Sequence, residues 1–235
     1  MEIRKISTGV EGLDKMLGGG LLEGRPYSVI GGPGSGKSIL GWQFLMAGRI
    51  KDETSLYITI DEPHYEIRDN MRMLGLEDSG IKIMDLSPGD IRDDGDLSSL
   101  TYLDRELPMQ LEKLRPLRVV LDSTTSIRAM EGDPVKARRR ILALMRTLSQ
   151  SDDDSTDDPI TSLLLTEDES DIHPLEAYLS RGVIRLHNKF SKGTRLRAIA
   201  IEKMRGSDFD DHLRPMKIGR GGILVAETDS MILEL

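Results

Sequence analysis

Residues 26–38, PYSVIGGPGSGKS, constrain this 235-residue chain more than any other stretch. A short apolar run leads into a glycine-rich segment that ends in Lys-Ser, and a helix-like run follows at 39–45. The pattern G-x-x-x-x-G-K-[ST] in this context is typical of a phosphate-binding loop. Its glycines let backbone N–H groups approach a phosphate closely, and the N-terminus of the next helix adds positive charge. The sequence therefore predicts a nucleoside-triphosphate site.

Within this loop, each residue type has a predicted task. Lys37 supplies a point charge to the outer phosphates, and the Ser38 hydroxyl is placed for Mg²⁺. The residues predicted to contact the nucleotide are Gly32, Pro33, Gly34, Ser35, Gly36, Lys37, Ser38 and Ile39.

Composition excludes several classes of protein. With 32 basic and 40 acidic residues the net charge is −8, which makes non-specific nucleic-acid binding unfavourable. The chain has no cysteine, so disulfides, thiol nucleophiles and thiolate metal sites are excluded. No apolar stretch approaches the roughly 20 residues of a membrane span, and the N-terminus has no signal core. We expect a cytoplasmic protein with a single domain, 1–235, and no second core.

Acidic residues follow two apolar runs. Asp61 and Glu62 come after 56–60, and Asp122 comes after 117–121. Ligands of open α/β sheets bind at the carboxyl ends of the strands, so we interpret these carboxylates as functional. Asp122 is predicted to share Mg²⁺ with Ser38. The alternative for the first pair is an exposed acidic cap on the helix that starts near Pro63.

Three further segments each allow two interpretations. Lys203 and Arg205 are two residues apart, near the end of a predicted strand, 196–204, so their side chains would project to the same face. They form either an exposed charge cluster or a pair that reaches an anion. Residues 7–25 are either a short amphipathic helix with a glycine stop or a module packed beside the phosphate loop. The basic residues of 136–140 form a solvated face or contact an anionic partner.

Other stretches have simpler expectations. Thr166 and Glu167 end another predicted strand, 160–167, where a polar side chain could sense the γ-phosphate. Residues 85–98 and the acidic 151–158 are predicted loops, and 223–226 and 231–233 are short predicted strands.

Together these motifs resemble the KaiC-like branch of the RecA superfamily of ATPases. The resemblance covers nearly the whole chain and rests on TGVEGLDKMLGGGLLEGR, GGPGSGKS, YITIDEP, IRDNMRMLG, RVVLDS, LLLTE and IEKMRGS. It implies a RecA-type P-loop NTPase core of the α/β class: a mostly parallel sheet flanked by helices, with short antiparallel strands near the C-terminus.

The resemblance also implies an activity. Family members bind and hydrolyse ATP with Mg²⁺, assemble side by side, often as hexameric rings with ATP at subunit interfaces, and signal to a protein partner. Asp61 and Glu62 would polarise the attacking water beside Lys37. Lys203 and Arg205 would reach the neighbouring subunit's ATP and act in trans.

Two positions depart from the family pattern. Family members carry Glu-Glu where this chain has Asp61 and Glu62, and the shorter Asp61 predicts slow hydrolysis. The phosphorylated copy of the cyanobacterial clock protein has an adjacent Ser-Thr pair, but the corresponding positions here are Ala177 and Tyr178. We therefore expect no autokinase cycle.

Two other functions compete with an ATPase that signals to a partner. One is a RecA/RadA-type recombinase paralogue that binds single-stranded DNA, which the net charge, the KMRG motif and the expected lack of an N-terminal DNA-binding domain disfavour. The other is a nucleotide-sensing scaffold that barely hydrolyses ATP, like the archaellum accessory ATPase, which Asp61 leaves open.

Overall fold

The computed structural model describes residues 4–87, 99–149, 159–167, 174–191 and 193–227. The strands are β1 Lys5–Ile6, β2 Leu21–Leu22, β3 Pro26–Gly31, β4 Ser55–Thr59, β5 Lys82–Asp85, β6 Arg118–Asp122, β7 Thr161–Glu167, β8 Gly182–Ser191, β9 Thr194–Met204, β10 Arg214–Gly219 and β11 Gly222–Val225. The helices are α1 Glu11–Met16, α2 Lys37–Arg49, α3 His64–Met73, α4 Ser99–Leu114, α5 Thr124–Glu131, α6 Pro134–Thr147 and α7 Leu175–Leu179.

One large mixed sheet organises the described residues. Its strand order is β11-β10-β9-β8-β3-β7-β6-β4-β5, and β1 pairs with β2 in a separate ribbon. Strands β3 to β8 pair in parallel, whereas β9, β10 and β11 are antiparallel to their neighbours. The predicted fold class, a mostly parallel RecA-type core with antiparallel strands near the C-terminus, is confirmed.

The parallel strands bury both faces, as their continuous apolar runs predict. Successive side chains point to opposite faces of a strand, so Val120 of β6 joins the apolar cluster on the α2 face, whereas Val119 and Leu121 join the cluster under α4 and α6. Strand β4 divides in the same way, with Tyr57 on the α2 face and Ile58 on the other. The sheet is therefore covered by helices on both sides.

Several predicted elements have different bounds in the structure. Strands β8 and β9 form a longer hairpin than predicted. Strand β10 was not predicted, because Pro215 and two charged residues obscure its apolar pattern. Helix α4 runs from Ser99 to Leu114 with Pro108 inside it. The predicted strand 231–233, the acidic loop 151–158 and most of the loop 85–98 lie outside the described residues.

The N-terminal segment packs on α2 and on the C-terminal hairpin. Leu13 and Met16 of α1 are buried, in line with the predicted amphipathic helix. A Cβ on Gly9 would lie 2.3 Å from the carbonyl oxygen of Gln43, and a Cβ on Gly12 would lie 2.4 Å from that of Val225. The segment is therefore held against the helix that begins in the phosphate loop, and it does not line the nucleotide cavity described below.

A buried ion pair joins the start of β6 to the loop after α2. Arg118 is fully buried, and its Nε donates to Glu53 Oε2 at 2.6 Å. Its Nη1 also donates to the carbonyl oxygens of Ser7 and Phe44, so one guanidinium joins three segments of chain. Removing one partner of a buried ion pair strongly destabilises the fold, because the other charge is left buried and uncompensated.

We expect Glu53→Ala to lower the free energy of unfolding by about 3–5 kcal/mol, because it leaves the Arg118 guanidinium buried without its counter-charge. Urea denaturation measures this change. The matched control is Glu11→Ala, which removes one partner of an exposed ion pair with Lys15 and should leave stability nearly unchanged. Equal effects of the two substitutions would contradict the prediction.

Candidate nucleotide site

A cavity of about 570 Å³ opens at the carboxyl ends of the parallel strands, where ligands bind in open α/β sheets. Loops after β3, β4, β6 and β7 meet there because parallel strands end at the same edge of a sheet. The predicted site residues that line it are Pro33, Gly34, Gly36, Lys37, Ser38, Ile39, Asp61, Glu62 and Asp122.

The phosphate loop has the backbone that its glycines predict. Gly36 has φ 105° and is the N-cap of α2, and a Cβ there would lie 2.8 Å from Ile218 Cδ1. A side chain at this position would strain the backbone and collide with β10. Two predicted contacts, Gly32 and the buried Ser35, do not line the cavity.

Lys37 is folded back along the loop. Its Nζ donates to the carbonyl oxygen of Gly31 at 2.8 Å and lies 3.9 Å from Glu167 Oε1. The ammonium is thus held at the floor of the cavity, next to the space that a phosphate would fill. Opposite it, Glu167 also lines the cavity, whereas the predicted sensor Thr166 is buried with its hydroxyl 2.8 Å from that of Thr124.

Ser38 and Asp122 form the predicted metal corner. Ser38, the second residue of α2, donates through its Oγ to Asp122 Oδ2 at the end of β6, at 2.7 Å. Burial raises the pKa of Asp122, and hydrogen bonds from Tyr57 and Ser38 counteract this rise. A hydroxyl beside a carboxylate is the hard-oxygen set that Mg²⁺ prefers, so these residues fit that cation.

The acidic pair follows β4 and also lines the cavity. Asp61 Oδ2 accepts hydrogen bonds from the hydroxyls of Ser126 and Ser123 at the start of α5. Glu62 Oε1 accepts from Asn70 Nδ2 at 2.6 Å. Burial raises the pKa of Glu62, with further contributions from the charges of Asp122 and Glu66. Of the two carboxylates, Asp61 is tied to α5, and Glu62 has the pKa shift of a candidate proton acceptor.

The long β8–β9 hairpin adds residues that sequence reasoning missed. Asn188 Nδ2 donates to the carbonyl oxygen of Pro33 at 2.9 Å, and Arg197 Nε donates to that of Gly34 at 3.3 Å. Arg197 also lines the cavity and places a second cation beside the loop. No local pattern marks these residues, since they reach the loop only through pairing of distant strands.

One wall of the cavity is apolar. Side chains from the start of α2, the inner face of α3 and strand β10 form it together: Ile39, Ile67, Met71, Leu74 and Ile218. An apolar wall beside a charged loop gives the cavity two chemically different surfaces, as a nucleotide requires.

Lys203 and Arg205 lie away from this cavity. Strand β9 ends at Met204, as predicted, so Lys203 lies on the strand and Arg205 lies in the following turn. Both side chains nevertheless reach the end of α7: Lys203 Nζ donates to the carbonyl oxygen of Ala177 at 2.7 Å, and Arg205 Nη2 lies 3.5 Å from that of Tyr178. They line a separate groove of about 640 Å³.

Comparison with protein families identifies the group to which this site belongs. A family model described as "ATPase: KaiC" matches residues 6–230. The chain belongs to the KaiC family of ATPases. The match includes the phosphate loop, Asp122 and the region of Lys203, so the predicted resemblance is confirmed.

Individual relatives of this KaiC-family chain are distant. The circadian clock oscillator protein KaiC of Prochlorococcus marinus is 28% identical over 99% of this chain but only 47% of its own length. A UPF0273 protein of Methanopyrus kandleri is 28% identical over 96% of this chain and 93% of its own length, and one of Pyrococcus furiosus is 28% identical over 95% and 94%. The chain thus spans about half the length of the clock proteins and nearly all of the archaeal relatives.

Within the ranges described above, no helix has the length and apolarity needed to cross a bilayer.

The raised pKa of Glu62 can be tested from both directions. Glu66→Gln removes a charge that raises it, so the pKa of Glu62 should fall. Asn70→Ala removes the hydrogen bond that stabilises the carboxylate, so the pKa should rise further and protonation should begin at higher pH. Carboxyl ¹³C NMR across pH measures both changes, with Asp69→Asn on the same helix as the control. Shifts of the same sign in the first two variants would overturn this account.

Proposed function

We propose that this chain is an ATPase that binds Mg·ATP in the described cavity and completes its catalytic site with cations from a neighbouring copy. One observation carries the proposal: a phosphate loop, the Ser38–Asp122 corner and the carboxylate of Glu62 all open into one cavity. Family membership supports ATP chemistry at this site rather than recombinase activity.

The phosphate loop of the cavity suits the phosphates of ATP, and its apolar wall suits the base. The loop amides, the α2 N-terminus and Lys37 bind the phosphates, and Arg197 adds a cation on the hairpin side. The apolar wall around Ile67 and Ile218 suits the base, which stacks on apolar side chains in most ligand sites. The loop contacts of Asn188 and Arg197 keep the phosphate loop in its binding shape before ATP arrives.

Ser38 and Asp122 would hold Mg²⁺ in this scheme. When bound, the cation neutralises charge on the β- and γ-phosphates. The Ser38 hydroxyl donates a hydrogen bond to Asp122, so the lone pairs of the Ser38 oxygen remain available on the cavity side. Asp122 keeps that proton oriented and supplies the negative charge that the cation requires.

Glu62 is the candidate general base for the attacking water. Its raised pKa brings it closer to the working pH than an ordinary glutamate, which favours proton acceptance during the reaction. Asp61 is one methylene shorter than the family's glutamate and is tied to Ser126 and Ser123. It therefore orients water less well, and we propose slow turnover as the consequence.

Lys203 and Arg205 complete the site from a neighbouring subunit. Burial and the charge of Arg205 lower the pKa of Lys203, and both cations are held by carbonyl oxygens at the end of α7. Because they line a different groove from the ATP cavity, they can act on ATP only in another copy of the chain. We propose that the chain forms a homo-oligomer, such as a ring of six, with ATP bound between subunits. This assembly would signal its nucleotide state to a protein partner in the cytoplasm.

Mixing two inactive variants tests this shared site. Glu62→Gln lacks the base but keeps both cations, and Arg205→Ala lacks one trans cation but keeps the phosphate loop. Each alone should bind ATP with little turnover. An equal mixture should recover about a quarter of wild-type phosphate release, because random assembly pairs an intact base with an intact neighbouring Arg205 at that frequency. Wild-type specific activity should also rise with protein concentration.

The control is Lys136→Ala, which removes a cation from the exposed side of α6. It should hydrolyse ATP like wild type at every concentration. No recovery in the mixture, together with full activity of Arg205→Ala alone, would show that Lys203 and Arg205 are only a charged turn. Failure of the wild-type chain to bind ATP would overturn the whole proposal.

The contacts of Asp61 favour a second candidate, a nucleotide-sensing scaffold with very little hydrolysis. If the short side chain limits turnover, Asp61→Glu should raise phosphate release on the order of tenfold, because small displacements of a reacting group cost large factors in rate. Asp61→Asn is the size-matched control and should not gain activity. Unchanged turnover in Asp61→Glu, at a rate as high as that of an ordinary ATPase, would exclude the scaffold.

A further inference from the structure

Tyr57 is a buried residue of β4 that does not line the cavity but touches its metal corner. Its side chain is fully buried on the α2 face of the sheet, with its ring centroid 5.8 Å from that of Trp42. In the sheet register Tyr57 lies opposite Val120, two residues before the pair Thr59 and Asp122. The ring therefore belongs to the core, and only its hydroxyl reaches the edge of the site.

The Tyr57 hydroxyl donates to Asp122 Oδ2 at 2.5 Å. The same oxygen accepts the Ser38 hydroxyl at 2.7 Å. Both hydrogen bonds that this carboxylate accepts from the described residues thus fall on one oxygen, Oδ2. Two donors from different elements fix the rotation of the carboxylate, and Oδ1 remains for a ligand in the cavity.

A buried tyrosine hydroxyl needs an acceptor for purely structural reasons, and Tyr27 shows that ordinary case. Tyr27 is equally buried, on strand β3, and its hydroxyl donates to the backbone carbonyl of Leu22 at 2.9 Å. Tyr57 differs because its acceptor is the carboxylate of the metal corner. A phenol carries its proton at neutral pH and a carboxylate only accepts, so Tyr57 is the donor in this hydrogen bond.

We propose that Tyr57 is a positioning residue of the divalent-cation site, which holds Asp122 Oδ2 through its hydroxyl and so leaves Oδ1 and the Ser38 oxygen arranged for hydrated Mg²⁺. This inference rests on the proposed Mg·ATP site. Partners that orient a metal ligand in this way commonly change metal affinity by about 10–100-fold when they are removed.

Tyr57→Phe removes the hydroxyl and keeps the ring, and Tyr27→Phe is the matched control with an equal chemical loss. A fluorescent ATP analogue is titrated into each protein with EDTA, and then with increasing Mg²⁺ at fixed nucleotide. In EDTA all three proteins should bind the analogue alike. With Mg²⁺, Tyr57→Phe should need about tenfold more cation than wild type to reach half of the Mg²⁺-dependent gain in affinity, whereas Tyr27→Phe should match wild type.

A double substitution separates positioning from general loss of stability. In an Asp122→Asn background, Tyr57→Phe should cause no further change in the Mg²⁺ midpoint, because the hydroxyl acts only through that carboxylate. Thermal unfolding in EDTA shows whether each variant is folded.

The outcomes distinguish this inference from the proposed function. A wild-type chain that does not bind the analogue refutes the Mg·ATP site itself. Analogue binding with the same Mg²⁺ midpoint in wild type and Tyr57→Phe refutes the positioning role alone. Equal shifts in Tyr57→Phe and Tyr27→Phe also refute it, because they would show that loss of any buried hydroxyl is sufficient.

Discussion

The hydrogen bond between Ser38 and Asp122 is the contact on which the site depends. It joins the start of α2 to the end of β6. The cavity that this contact closes gathers acidic groups, and burial raises the pKa of both Glu62 and Asp122. Raised values mean that the ionised carboxylates are poorly solvated there. A bound divalent cation would stabilise these ionised carboxylates and so offset the cost of burying them.

Much of this arrangement could be predicted because it is local. An apolar run ending in Asp122 is visible in seven residues, and the carboxyl ends of parallel strands must meet at one edge of the sheet. The glycine pattern likewise specified the backbone, and Gly36 has the left-handed conformation that only glycine adopts readily. In these cases a short stretch of sequence is enough to determine where a side chain lies.

The remaining residues could not be predicted because their roles depend on distant pairing. Arg197 lies beside the phosphate loop only because the β8–β9 hairpin extends beyond the sheet, and Tyr57 reaches Asp122 only because β4 lies next to β6 in one particular register. The predicted strand 196–204 ends where β9 ends, at Met204, and Arg205 lies in the turn that follows. Its side chain still joins Lys203 at α7, so the pairing predicted from sequence survives with a different geometry.

Family membership establishes the fold and the class of chemistry, but the rate of that chemistry depends on details that differ between members. This chain has the phosphate loop and the metal corner, whereas its first carboxylate is an aspartate that accepts hydrogen bonds from the hydroxyls of Ser123 and Ser126. Those hydroxyls belong to the segment that follows Asp122, so the Asp61 carboxylate is held by the same stretch of backbone that carries the metal corner. A carboxylate held in this way gains rigidity and loses reach toward the cavity. The slow turnover that we propose is the physical consequence expected of that exchange, and it would suit a protein whose nucleotide state must persist long enough to be sensed.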